Sequence, residues 1–181
     1  MRELSRVAKV THNAPYRHFA DKEAVLAAIA EEGFLLLAEC GARARAGAGD
    51  DARAWLRDLG IVYILFAIDH PHHFRLMYGG PIPAASARHL ALAAAYEASF
   101  KHLFDAVEAC RAEGLFRKSM TASRLAVVAW SSVHGLASLL VAEQLPADAR
   151  AKEAMNDLVS IFFEGALVAA PRAPPKRRTR R

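Results

Sequence analysis

The chain has 181 residues, 54% of them apolar, with only 10 glycines and 8 prolines, enough for one helical core and poor material for a strand-and-turn architecture. Two cysteines, Cys40 and Cys110, exclude a disulfide framework and read as buried reduced thiols. The formal net charge is +5, yet the last eleven residues, PRAPPKRRTRR, hold six positives and no acid, which excludes a uniformly basic protein.

The remaining positive excess sits at the other end. Residues 1–22 carry Arg2, Arg6, Lys9, Arg17 and Lys22 against Glu3 and Asp21, a local +3, and the stretch between the ends is net acidic. Such asymmetry suggests a polyanionic partner for the N-terminal region. The tail, 171–181, reads as a disordered basic extension. The opening MRELSRVAKV lacks the charged-then-apolar pattern of a secretory signal, so a cytoplasmic location is expected.

In chain order, Arg2 to Ala8 reads as a short helix. Thr11 can cap a second one, which Pro15 enters in its first turn, where a missing N–H does least harm. Asp21 then caps a long helix from Lys22 to about Ala46, with Leu26, Ile29, Gly33, Leu36/Leu37 and Cys40 at helical spacing; at 1.5 Å per residue it spans about 36 Å. AGAGDD ends it. Asp50 or Asp51 caps the next helix, whose second half, IVYILFAI, is apolar all round and predicts a central helix packed on several sides. His70–Pro71 stops it, and PHHFRLMYGGPIP reads as a short helical turn and loop.

A long helix is expected from about Ala84 to Glu113, with Leu92, Tyr96, Leu103, Val107 and Cys110 on one face and Gly114 as its stop. Thr121 or Ser123 opens another, through RLAVVAWSSVHGLASLLVAEQ. Pro146 separates it from a last helix over about 148–169, carrying Met155, Leu158, Val159, Phe162, Ala166 and Leu167. There is no strand alternation, so the fold class is all-α.

Leu125 to Ala142 is 18 residues without a formal charge, the low end for a membrane span. Its three serines, His134 and Gly135 favour a soluble helix buried on two faces: Leu125, Val128, Ser132, Gly135 and Leu139 on one, Val127, Trp130, His134 and Val141 on the other. The last helix is likewise apolar on more than one side. Two such helices in succession predict a homodimer with a four-helix interface, and no membrane.

The stretch VTHNAPYRHFADKEAV concentrates polar and basic side chains between two short helices and a long one. That is the size and charge of a helix-turn-helix, whose second helix enters the DNA major groove while neighbouring residues clamp phosphates. On this reading Thr11 caps the recognition helix and reaches a phosphate. His12 and Asn13 face base edges, Asn being a bidentate partner for adenine. Tyr16 and His18 offer phosphate contacts, Arg17 is a candidate for a phosphate or a base, and Lys22 adds its charge to a helix N-terminus.

These residues resemble the DNA-binding end of the tetracycline-repressor (TetR) family, in the segments LSRVAKVT and YRHFADKEAV. WSSVHG at Trp130–Gly135 is similar to the Trp–x–x–x–His–Gly (WHG) signature of one C-terminal branch of that family. The resemblance implies a helix-turn-helix head over 1–33, a helical effector-binding and dimerisation domain over 34–170, and the basic tail beyond. It implies a ligand-responsive transcriptional repressor that binds double-stranded operator DNA and is released by a small apolar effector, with no catalytic role and no cofactor. Lys9 replaces the turn glycine of the pattern, and a positive φ there costs about 1 kcal/mol. Family members also carry a further helix ahead of the position of Arg2. Its absence predicts either a natural start upstream of Met1 or a small-molecule-binding helical dimer that has lost DNA binding.

For the effector, Tyr63, Phe66, Phe74, Met77, Tyr96, Phe100, Trp130 and His134 lie within reach of a common cavity between the central helices, although any one of them also fits plain core packing. HPHH at 70–73 is too cramped to aim three imidazoles at one metal, so no metal site is expected. Ser131 and Ser132 beside His134 lack a nucleophile elbow and an oxyanion loop.

Overall fold

A computed structural model describes residues 6, 9, 11, 18–84, 86–116, 119–145, 153, 156–158, 160 and 161. The helices α1 (Lys22–Ala48), α2 (Ala52–Asp69), α3 (Pro71–Gly79), α4 (Leu90–Ala112) and α5 (Ala122–Val141) follow in order, and no strand occurs among the described residues. Glu153, Asn156–Leu158, Ser160 and Ile161 are helical too, within the final helix expected over 148–169.

The helix starts follow the capping chemistry of the sequence. Asp21 accepts from the Ala24 N–H at 2.8 Å, Asp51 rather than Asp50 accepts from Ala54 at 2.8 Å, and Thr121 rather than Ser123 accepts from Arg124 at 3.4 Å. At the end of α4, Gly114 takes φ +72 and the Leu115 N–H returns to the Cys110 carbonyl at 3.0 Å, closing the helix with a left-handed residue. His70 joins two helices through its backbone: its N–H donates to Phe66 at 2.8 Å, and its carbonyl accepts from Phe74 at 2.9 Å.

Two expected boundaries move. The 71–79 turn is a full helix, with Pro71 in its first turn. The next helix begins at Leu90, not Ala84. Pro81 and Pro83 restrict the residues before them, and the chain instead makes turns in which Ser86 donates to Pro83 and His89 donates to Ser86. Arg88 and His89 then grip Glu23 in the first turn of α1, at 3.1 and 3.0 Å.

Helix α2 is central and touches each of the other four. Its Ile64 and Ala67 are fully buried and Phe66 nearly so. Helix α1 lies along α4 at close range because it presents small residues there. A Cβ at Gly41 would stand 2.8 Å from the His102 ring of α4, and on the α3 side one at Gly33 would meet Met77 Sδ at 2.5 Å, so a larger residue at either position forces its neighbour to shift. The expected head–body division at 33/34 falls inside α1, which runs unbroken and is common to both.

Helix α5 is long and apolar enough to cross a membrane, but Leu125, Ala126, Ala129, Ala137 and Val141 are buried against the bundle. Its faces differ from the expected pair. Leu125 and Val141 point inward, whereas Val127, Val128, Ser131, Gly135 and Leu139 form one exposed stripe. The 100° step turns Ala122, Ala126, Ala129 and Ala137 inward with Leu125 and Val141, and leaves Val127 and Val128 outside.

Candidate functional site

Four helices bring their aromatic residues to one place. Tyr63 comes from α2, Phe74 and Tyr78 from α3, Tyr96 and Phe100 from α4, and Trp130 and His134 from α5, one turn apart. The rings meet edge to face or tilted: Tyr63 with Phe74 at 6.0 Å, Tyr78 with Trp130 at 5.9 Å, Tyr78 with His134 at 4.8 Å, and Phe100 with Trp130 at 6.4 Å. Such rings do not tile the space between them, and a cavity of about 80 Å³ remains.

Leu37 and Gly41 of α1 line this cavity, with Leu59, Tyr63, Tyr78, Tyr96, Ser99, Phe100, Leu103, Trp130 and Ser132. No lining residue carries a formal charge. The two serines spend their hydroxyl protons on their own helices, Ser99 on the Tyr96 carbonyl at 2.8 Å and Ser132 on the Val128 carbonyl at 2.9 Å. What they leave to the cavity is acceptor capacity.

The Tyr63 hydroxyl is the polar hub of the wall. It accepts from the Trp130 indole N–H at 3.3 Å and lies 2.7 Å from His134 Nδ1. With Trp130 and Tyr78 both donating to the phenol oxygen, the Tyr63 proton is left for His134 Nδ1, which places the imidazole proton on Nε2. Burial keeps the imidazole neutral by holding the His134 pKa below its ordinary value. Burial also pushes the Tyr63 phenol up to about 12, against the opposing hydrogen bonds of Tyr78 and Trp130. Tyr78 is raised further still, by burial first and by its Tyr63 neighbour second. All three are therefore uncharged hydrogen-bonding groups at neutral pH.

Of the eight residues expected around an effector, Tyr63, Tyr96, Phe100 and Trp130 line the cavity. Phe74 and His134 stand behind it and line a second recess. Phe66 and Met77 line neither; they pack with Phe34, Ile82 and Leu92 in a separate part of the core. Sequence reasoning passed over Tyr78, which touches Phe34, Tyr63, Phe74, Trp130 and His134. Its signal was present: it follows Phe74 by four residues on α3, the same face one turn on. Gly41 and Ser99 carried no such mark.

Of the residues expected to contact DNA, Thr11, His18 and Lys22 are exposed, Lys22 at the very start of α1 beside the Asp21 cap. Lys9 has φ +53 and its N–H reaches the Arg6 carbonyl at 3.3 Å, so the left-handed turn is made without glycine. His12, Asn13, Tyr16 and Arg17 lie outside the described residues. His70, His72 and His73 do not gather around a point: His72 is exposed, and His73 packs its Cβ over Gly33 with Nε2 3.6 Å from Glu32. Cys110 is a core thiol, donating to the Ala52 carbonyl at 3.2 Å, and burial raises its pKa to about 12.

Among curated proteins none matches this sequence. Among solved structures, a protein of unknown function from Rhodococcus sp. RHA1 is 34% identical, with a TM-score of 0.74 over 92% of this chain and 84% of that one. A regulatory protein in the tetR family from Rhodococcus RHA1 shares the fold at 18% identity and a TM-score of 0.74, over 93% of this chain and 86% of that one. So does a TetR family transcription regulator from Marinobacter aquaeolei VT8, at 15% identity and 0.64, over 92% and 84%. The family model for the tetracyclin repressor-like C-terminal domain matches residues 56–162, the stretch that builds the aromatic wall, and the chain belongs to the TetR family.

Proposed function

We propose that the protein is a cytoplasmic, homodimeric transcriptional repressor that releases its operator when a small apolar effector enters the aromatic cavity. One observation carries this reading. Helix α1 lines the cavity through Leu37 and Gly41 and at its other end begins with Lys22, directly after the basic stretch read as the DNA-binding head. A molecule that pushes on Leu37 moves a rigid rod whose far end holds that head. In a dimer this changes the spacing of two recognition helices, which must match half-sites about 34–36 Å apart.

Thr11, Tyr16, Arg17, His18 and Lys22 hold phosphates, and His12 and Asn13 read bases. The second subunit covers the stripe Val127, Val128, Ser131, Gly135 and Leu139 of α5 together with the helix that follows. The stripe's exposed valines and leucine flank a small centre, and a Cβ at Gly135 would meet nothing within 4 Å, so a partner helix can approach closely.

Gel shifts on DNA from the protein's own promoter region, combined with selection from random duplexes, test the reading. Lys22→Ala is expected to weaken binding on every duplex, whereas Asn13→Ala changes which sequence is preferred. Equal losses on all DNA for Asn13→Ala would remove its base-reading role. A sedimentation experiment showing a lone subunit, with no shift of any duplex at low salt, would remove the repressor reading altogether.

A further inference from the structure

On the far side of the Tyr63–His134 bond, α3 and α5 enclose a second recess of about 380 Å³. Tyr78 borders both spaces, but His134 lines only this one. Its Nδ1 is occupied by the Tyr63 hydroxyl, so the N–H on Nε2 is the donor left for a ligand here. Arg75 of α3 lines the same recess. One guanidinium nitrogen donates to the Val141 carbonyl at 2.7 Å, which fixes the group against the last turn of α5. No carboxylate pairs with Arg75 among the described residues, and the recess lining contains no acid. An anchored guanidinium keeps most of its five N–H donors for a planar anion.

The rest of the lining says what kind of anion fits. Phe74 and Val141 make an apolar floor, Phe74 lying 5.4 Å from the His134 ring and tilted by 33°. Ser138 adds a hydroxyl on the α5 wall. A bare inorganic ion would leave this floor wet; a molecule with a hydrocarbon body would cover it. We propose that the second recess binds a small amphipathic organic acid, its carboxylate held by Arg75 and His134 and its apolar body resting on Phe74 and Val141. This site is distinct from the apolar cavity, and its occupant differs in charge from the effector assigned there.

Ligand-observed NMR titrations of the full chain with hexanoate and benzoate test the assignment, beside hexan-1-ol, benzyl alcohol and inorganic phosphate. Both acids are expected to saturate one site per chain. Phosphate, and the part of the alcohol binding that Ser138→Phe removes, should be at least about tenfold weaker, the scale of a lost charge-assisted hydrogen bond; alcohol held in the apolar cavity is insensitive to Ser138→Phe. Arg75→Gln should weaken hexanoate binding by a similar factor, again about tenfold. Ser138→Phe, which fills the recess and leaves Arg75 and His134 in place, should abolish it without changing the far-UV circular dichroism. Should Arg75→Gln fail to fold, Ser138→Phe decides alone. Phosphate binding as tightly as the acids overturns the proposal, and so do hexanoate binding that survives Ser138→Phe and alcohol binding that Ser138→Phe removes as fully as it removes hexanoate.

Discussion

The two ends of the helical body are built from different kinds of side chain. Where α1 finishes and α2 begins, the core is Ala44, Ala52, Trp55, Leu56, Ala106, Val107, Cys110, Leu125 and Ala126, mostly small or branched, with several residues at zero exposure. At the other end, Tyr63, Phe74, Tyr78, Trp130 and His134 meet through large flat rings with polar tips. Small residues let helices close until gaps vanish, whereas tilted rings leave the cavity and hold hydrogen-bonding atoms at its wall. The comparison teaches that one end holds the molecule together and the other is available to recognise something.

The largest expected effect tests the tight end. Leu125→Ala removes a fully buried side chain from a region with no room to collapse and should lower unfolding free energy by about 3 kcal/mol in urea titrations. A loss under about 1 kcal/mol would mean that this end is loosely packed after all. Next, Tyr63→Phe at the aromatic end leaves both the Trp130 N–H and His134 Nδ1 without their shared partner. A loss of about 1–2 kcal/mol is expected, and no loss would show that water replaces the hydroxyl freely.

A cap at the tight end separates two neighbouring acids. Asp51→Ala should cost about 1 kcal/mol, because Asp51 holds the Ala54 N–H, whereas Asp50→Ala should be near neutral. Equal effects in thermal melts would contradict the assigned cap. The smallest effect is a pH dependence confined to the aromatic end. The folded pKa of His134 lies below its unfolded value of about 6.5, so protonation favours the unfolded chain. Its contribution is fully present above that pH and is lost as pH falls toward the depressed folded value. His134→Gln should flatten the stability profile between about pH 7 and 5 relative to the parent chain. It should leave the alkaline limb, where the Tyr63 and Cys110 protons come off, unchanged.

Much of the fold was legible because its signals are local. Asp21, Asp51 and Thr121 cap helices from the positions their short side chains favour, and IVYILFAI is apolar because α2 touches each of the other four helices, with only Leu65 and Ile68 of that run left exposed. The family followed from two local motifs, YRHFADKEAV and WSSVHG. The site was only half legible. Tyr63, Tyr96, Phe100 and Trp130 do meet at the cavity, but Phe66 and Met77, equally apolar and equally well spaced, turn into another part of the core. Nothing in their spacing separates the two groups.

The sequence by itself determined which stretches are helical, the Asp21 cap and the concentration of positive charge at the ends, because each depends on residues a few positions apart. Only the tertiary structure decided that the Tyr63 hydroxyl sits between Trp130 and His134, that Arg75 is tied to the last turn of α5, and that α1 borders the cavity through Leu37 and Gly41. Those facts depend on the rotation and closeness of helices tens of residues apart. Which residue is small enough at each crossing sets them, and a one-dimensional pattern carries no record of what lies across the gap.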